Sequence, residues 1–350
     1  MSPQVMTSVG DPEPTYPVEL APEDLTPYRA SGTGVDHVHT FSAPRPGPHV
    51  MVNALTHGNE LCGMAVVKRL LDLGVRPRRG RLTLSFANVV AYERFDPLAP
   101  DCRYVDRDFN RLWHDEVLAA DRHSVEARRA HEMRPVVATV DRLLDLHSTW
   151  HALLPFFVLA RLPRSRALAD ELALPARQLL LPEFRHEGWH LIDDTPFSRP
   201  DGTAVGLIAE CGQHFARATA ETAWQVALRF LVVCGSLDPE DALCLGAVAT
   251  ASAPVERYEI VQPVLLRTDR YRLLASHAGF VEFRAGELAG WDGDEPLQAP
   301  FDGAILIAPR PRPRAGQQAF AWGRRVDGGP TWSAPTPRPC VAGCGSSTAS

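Results

Sequence analysis

The sequence predicts an α/β fold with a mixed, largely parallel sheet flanked by helices, followed by a small β-rich C-terminal domain. Three observations carry this expectation. Short apolar runs alternate with segments of helical periodicity up to about residue 238. The apolar runs are continuous rather than alternating, as in strands buried on both faces. Beyond about residue 240 the texture changes to short β-type segments broken by Gly, Pro and Asp.

Taken in order, "HVMVNAL" (49–55) reads as a buried strand. "ELCGMAVVKRLLDLG" has apolar residues at helical spacing and stops at Gly74. "GRLTLSFANVV" is a second strand, opened by Gly80. A helix is expected over Ser124–Leu144, and "LLDLHS" has the character of a strand end. "HALLPFFVLAR" (151–161) and "AVGLIAECG" (204–212) are short enough to be buried strands, and "ATAETAWQVALRFLVVCGSL" is a long helix ending near Gly235. The segments "ERYEIVQPVLLRT", "RYRLLASHAGFVEF", "PLQAPFDGAILIAP" and "QQAFAWGR" supply the C-terminal strands. Residues 1–30 are Pro-rich and polar and read as a flexible tail, and residues 326–350 read as disordered. The division is then an α/β domain over 31–238 and a β-rich domain over 239–325.

Composition narrows the function classes. A net charge of -6 gives no reason to expect nucleic acid as the partner. No run approaches the length of a membrane span, and the N-terminus lacks a basic start and an apolar core, so a cytoplasmic protein is expected. The seven cysteines form no zinc-ribbon spacing and read as reduced thiols, mostly buried. A homo-oligomer is left open.

Four polar segments fall at the ends of predicted strands, where open α/β sheets place ligands. They are Thr56–Glu60 ("THGNE"), Cys102–Arg111 ("CRYVDRDFNR"), "LLDLHST" with His147, and "IAECGQ" with Glu210. Spacing alone is a weak guide: with 13 histidines, about one His-x-x-Glu pair arises by chance. His123-Ser-Val-Glu126 is such a pair, and its polar helical surroundings read as a solvated face. His57, Glu60 and His147 by contrast offer two imidazoles and a carboxylate, a set used by zinc hydrolases. Asp145, two residues before His147 on one side of a strand, is placed to hold its imidazole. Bound zinc lowers the pKa of water from about 15.7 to about 7. The chemistry then needs a proton-shuttling carboxylate and a cation facing the oxyanion, and Glu210 and the arginines of the second segment are of the right types.

These four segments, in this order, resemble the succinylglutamate desuccinylase/aspartoacylase family, a branch of the zinc-carboxypeptidase fold. The family's motifs stand here as "THGNE", "RYVDRDFNR", "DLHST" and "ECGQ". The resemblance implies one zinc per chain held by His57, Glu60 and His147, with Glu210 as general base and acid. It implies that Arg103 polarises the scissile carbonyl and that Asn110 and Arg111 hold a substrate carboxylate, with Arg199 a further substrate-binding arginine. The implied activity is hydrolysis of the amide of an N-acyl amino acid or related small carboxylate. A zinc carboxypeptidase acting on peptides or cell-wall fragments is the alternative, and a non-catalytic binding protein on this fold is an alternative of another class. Aspartate-cleaving members use a tyrosine late in the C-terminal domain, whereas no tyrosine follows Tyr271. With Trp150, Phe156 and Phe157 after the histidine motif, this suggests a bulkier or more apolar acyl or amine group. His151, His186, His190 and His214 are expected to be structural or at the surface, and Cys211 to be a small buried hydrophobe.

Overall fold

The computed structural model describes residues 15–182, 188–248, 254–274 and 279–326. Strand β1 (Val38–Ser42) precedes a β-α-β unit made of β2 (His49–Ala54), α1 (Leu61–Asp72) and β3 (Arg81–Phe86). The short helices α2 (Val89–Tyr92) and α3 (Asp115–Ala120) and the longer α4 (Val125–Val137) lead to β4 (Arg142–Thr149). Next come β5 (Phe156–Leu159), α5 (Pro163–Leu172), β6 (Arg177–Leu180), α6 (Thr195–Ser198), β7 (Val205–Gln213), α7 (Arg217–Val233) and α8 (Pro239–Cys244). The C-terminal strands are β8 (Glu256–Leu265), β9 (Tyr271–Leu273), β10 (Val281–Phe283), β11 (Leu288–Asp292), β12 (Glu295–Gln298), β13 (Ala304–Ile307) and β14 (Gln318–Arg325).

One 11-stranded sheet runs in the order β1-β3-β2-β4-β7-β5-β6-β8-β14-β13-β10. Between β1 and β6, four of the six neighbouring pairs are parallel, and only β1–β3 and β7–β5 are antiparallel. The expected mixed, largely parallel sheet is therefore present. It does not stop at the end of the α/β part, because β8 pairs in parallel with β6 and carries the sheet into the antiparallel strands β14, β13 and β10. A separate three-stranded sheet, β12-β11-β9, closes that region. Both faces of the central strands are covered. Val50, Val52, Leu144 and Leu207 pack with α1 and α7 residues on one face. Met51, Leu143 and Ile208 pack with Phe109, Met133 and Ile192 on the other.

Two boundaries differ from the expectation. The helix expected to reach Leu144 ends at Val137, with Pro135 in its last turn, and residues 142–144 already belong to β4. Residues 15–30 are held down: Glu19 and Leu20 donate N–H to the Phe215 carbonyl, Tyr92 donates its hydroxyl to the Glu23 carbonyl, and Leu25 is buried. The expectations for residues 1–14 and for the tail beyond residue 326 lie outside the described residues. Among the described residues no helix is long and apolar enough to cross a membrane.

At the start of β2, His49 is buried, with Nδ1 against the Thr139 carbonyl and Nε2 2.7 Å from Thr83 Oγ1. Burial, helped by the Arg81 charge, lowers its pKa from 6.5 to about 4. The unfolded chain therefore binds the extra proton first as pH falls. The stability His49 contributes is complete above pH 6.5 and is lost as pH falls towards 4, on the order of 3 kcal/mol. Urea unfolding between pH 7.5 and 4 should show this loss, and a His49→Gln variant should show a shallower acid slope. An unchanged slope would refute it.

Candidate metal centre and active site

The strand order reverses between β2 and β4: the chain moves from β2 outward to β3, then returns to add β4 on the other side of β2. Such switch points leave a crevice at the carboxyl ends of the strands. The turn from β2 into α1 is built for close approach. Leu55 takes a left-handed φ of 57°. A Cβ on Gly58 would lie 2.5–2.6 Å from backbone atoms of Ala91, Cys102 and Tyr92, so only glycine fits there. Gly58 also donates its N–H to the Arg103 carbonyl, tying the first polar segment to the second.

His57, Glu60 and His147 converge: one ligand atom from each lies within 4.8 Å of the others, and all three residues are buried. His57 Nδ1 is 2.8 Å from Glu60 Oε1. His147 Nδ1 is 2.9 Å from Glu60 Oε2, yet among the described residues that oxygen completes no hydrogen bond of good geometry. The far nitrogens are each held by a carboxylate: His147 Nε2 by Asp145 at 2.7 Å and His57 Nε2 by Asp108 at 3.1 Å. Asp145 is itself fixed by donors from Asn53 and Thr56, each at 2.8 Å. This leaves two Nδ1 atoms and a buried carboxylate oxygen facing a common point, a donor set suited to a divalent metal. Burial alone would raise the Glu60 pKa, but the neighbouring charges of His147 and His57 outweigh it and lower it.

Glu210 faces the cluster from the neighbouring strand, in register with His147 across the β4–β7 pair. Its Oε2 is buried and, among the described residues, has no hydrogen-bond partner. Burial first, and then repulsion from Glu60 and Asp145, raises its pKa to about 8, against the opposing pull of His147 and Arg103. A carboxyl group tuned towards neutrality beside a metal-type donor set is suited to proton transfer.

The arginine segment divides. Arg103 donates through Nε and Nη2 to Asp108 Oδ2 at 3.1 and 3.0 Å, and its Nη1 is 4.0 Å from Glu60 Oε1. Asn110 is buried and its Oδ1 accepts from Leu191 N, which leaves the side-chain NH2 as the group that can face a ligand. Arg111 donates to the Asn110 carbonyl and lies close enough to help lower the Asp108 pKa. Arg107 points away, to Asp121.

Arg199 does not join the cluster. It follows α6 near the amino ends of β4 and β7, where its carbonyl accepts from Arg164, and its exposed guanidinium pairs with Asp201. The metal-type cluster lies at the opposite ends of those strands, so the expected substrate contact finds no support in this placement.

Aromatic groups line up beyond His147. Trp150 stands edge-on to Phe215 at 5.7 Å and to His214 at 6.1 Å, and Phe95 lies 6.1 Å from Phe215. Phe156 and Phe157 are buried core residues of β5, so of the three aromatics singled out only Trp150 is left at the strand ends. His214 is buried against Ser148 at 2.7 Å, and burial lowers its pKa to about 3, which keeps the imidazole neutral. His190 is bonded to Asp193 at the start of a one-turn helix, Cys211 is buried, and His186 lies outside the described residues.

Two functional-looking residues carried no assigned role in the sequence. Asp108 bridges Arg103 and His57; its position inside "RYVDRDFNR" was the available signal. Glu126, expected on a solvated face, is wholly buried.

The chain matches the family model for the succinylglutamate desuccinylase/aspartoacylase catalytic domain over residues 46–222. It is 34% identical over 113 residues to an N-acyl-aromatic-L-amino acid amidohydrolase (carboxylate-forming) of Xenopus laevis, and 35% identical over 109 residues to that of Xenopus tropicalis. These matches cover 30% and 29% of this chain, and only about a third of the relatives' length, 35% and 33%. Among solved structures, it is similar to succinylglutamate desuccinylase of Vibrio cholerae, with a TM-score of 0.63 and 22% identity over 83% of this chain and 86% of that one. An aspartoacylase family protein of Mesorhizobium loti gives 0.59 and 18%, over 83% and 90%. With a family model spanning half of its length and a shared fold, the chain belongs to the succinylglutamate desuccinylase/aspartoacylase family.

Proposed function

We propose that this protein is a zinc-dependent hydrolase that cleaves the amide bond of an N-acyl amino acid and prefers an aromatic or other bulky apolar group to aspartate. The observation that carries the reading is the buried His57–Glu60–His147 convergence with Glu210 in register opposite His147. His57, Glu60 and His147 would hold the metal, which when bound activates water and polarises the carbonyl. Glu210 takes a proton from the attacking water as the new C–O bond forms. It returns that proton to the amine nitrogen as the C–N bond breaks. Arg103, fixed by Asp108, faces the oxyanion, which is stabilised best by a preorganised charge. Asn110 and Arg111 hold the substrate carboxylate and so fix its orientation. Trp150, backed by Phe215, supplies apolar surface beyond His147. The name of the Xenopus relatives supports the same substrate class.

The test is a hydrolysis screen with zinc-loaded protein on N-acetyl-Phe, -Tyr, -Trp, -Leu and -Asp, N-succinylglutamate, and short peptides. The aromatic derivatives should exceed N-acetylaspartate in kcat/KM by at least about tenfold. A clear preference for N-acetylaspartate would sink the apolar preference. Peptide cleavage with N-acyl amino acids untouched would favour a carboxypeptidase.

A further inference from the structure

Among the described residues the second His-x-x-Glu pair of the sequence joins no metal-type cluster, yet its glutamate, Glu126, is as buried as Glu60: 0% exposed against 1%. It sits in the first turn of α4, whose N-cap is Ser124. Its Oε1 accepts the backbone N–H of Val105 at 2.6 Å and the side-chain amide of Asn88 at 3.1 Å. Its Oε2 accepts the N–H groups of Asp106 and Arg107 at 3.1 and 3.0 Å. Three consecutive amides thus end on one carboxylate. The contact is reciprocated: Asp106 Oδ2 accepts from Val125 N at 2.8 Å, and Arg107 reaches Asp121 on the same helix approach. Two residues before this cradle is Arg103, whose carbonyl is tied to Gly58, and directly after it is Asp108, which holds both the Arg103 guanidinium and His57 Nε2.

We propose that Glu126 is a positioning residue for the active site: by gathering the amides of 105–107 it sets the bend that brings Arg103 and Asp108 together over His57. The inference rests on the amide-hydrolase reading for what those two residues do. The chemistry requires an acceptor-only group here. An ionised carboxylate offers two oxygens to four donors, whereas glutamine would turn an NH2 against backbone N–H groups. Leaving buried donors unpaired is costly enough to redirect a loop.

Glu126→Gln, Glu126→Asp and Asp106→Ala test this. With a substrate that the zinc-loaded parent cleaves, Glu126→Gln should lower kcat by about 10- to 100-fold with KM, zinc content and far-UV spectrum close to the parent. Glu126→Asp should recover part of the loss. Parent-like kcat in Glu126→Gln, or a loss that only tracks the folded fraction, overturns the proposal. If Glu126→Gln does not fold, Asp106→Ala decides, since Asp106 is exposed and clasps the same loop from the other side. A several-fold fall in kcat at constant KM supports the proposal, and an unchanged kcat overturns it. If the parent cleaves no N-acyl amino acid, the functional reading fails separately, and amide hydrogen exchange still decides on Glu126. Faster exchange confined to Val105–Arg107 supports the cradle, and unchanged exchange there overturns it.

Discussion

Glu210→Gln should lower kcat by two to four orders of magnitude while the zinc content stays that of the parent. The substitution keeps the shape and removes the ability to accept a proton, and Glu210 is not in the donor set formed by His57, Glu60 and His147. Its position opposite His147 comes from the β4–β7 register, which a surface-neutral swap at one side chain has no reason to alter. The burial that raises its pKa to about 8 makes a second signature. In metal-free protein the protonated form is the one the fold favours, so the parent loses stability as pH rises from about 4.5 towards 8. Glu210→Gln mimics the protonated form, and its unfolding midpoint relative to the parent should climb across the same window. A variant with parent-like kcat, or one that loses its metal, would show that Glu210 is a structural residue.

How far the sequence spoke depended on whether the signal was local. His57-x-x-Glu60 and His147 were legible because the first follows a continuous apolar strand and the second lies near the carboxyl end of one, and parallel strands deliver those ends to a shared crevice. Asp145 followed from the two-residue periodicity of a strand, and the 2.7 Å contact with His147 bears it out. The identical spacing at His123 and Glu126 was rightly set apart from the metal set. Its reading as a solvated face holds for the exposed His123 and fails at Glu126, whose burial is decided by a loop some twenty residues away that no local periodicity records. Arg199 failed for a related reason. Its chain distance from Glu210 is small, but the intervening strand β7 carries the two to opposite ends of the sheet. Residues 15–30 looked like a tail because they are Pro-rich and polar with no apolar periodicity, yet backbone bonds to Phe215 and a buried Leu25 hold them.

Zinc should bind the folded chain at one equivalent, and the ranking of substitutions around it should follow the hydrogen-bond shells. At a thousandfold excess over its dissociation constant, a metal that binds only the folded state adds about 4 kcal/mol of stability, a rise of several degrees in Tm. Glu60→Ala and His147→Ala remove donors from the convergent set and should abolish that rise. Asp145→Asn and Asp108→Asn leave the donors in place but loosen the imidazoles, because an amide is a poorer acceptor for the far N–H than the carboxylates now 2.7 and 3.1 Å away. Those two should weaken zinc by about 10- to 100-fold without eliminating it. Asp108→Asn should in addition loosen Arg103, since its Nε and Nη2 contacts both end on Asp108 Oδ2. Its kcat at saturating zinc should therefore fall further than that of Asp145→Asn. Isothermal titration of chelator-treated protein and Tm measured against zinc concentration read out the order. Equal zinc affinity in Glu60→Ala and the parent would show that this convergence is not the metal site.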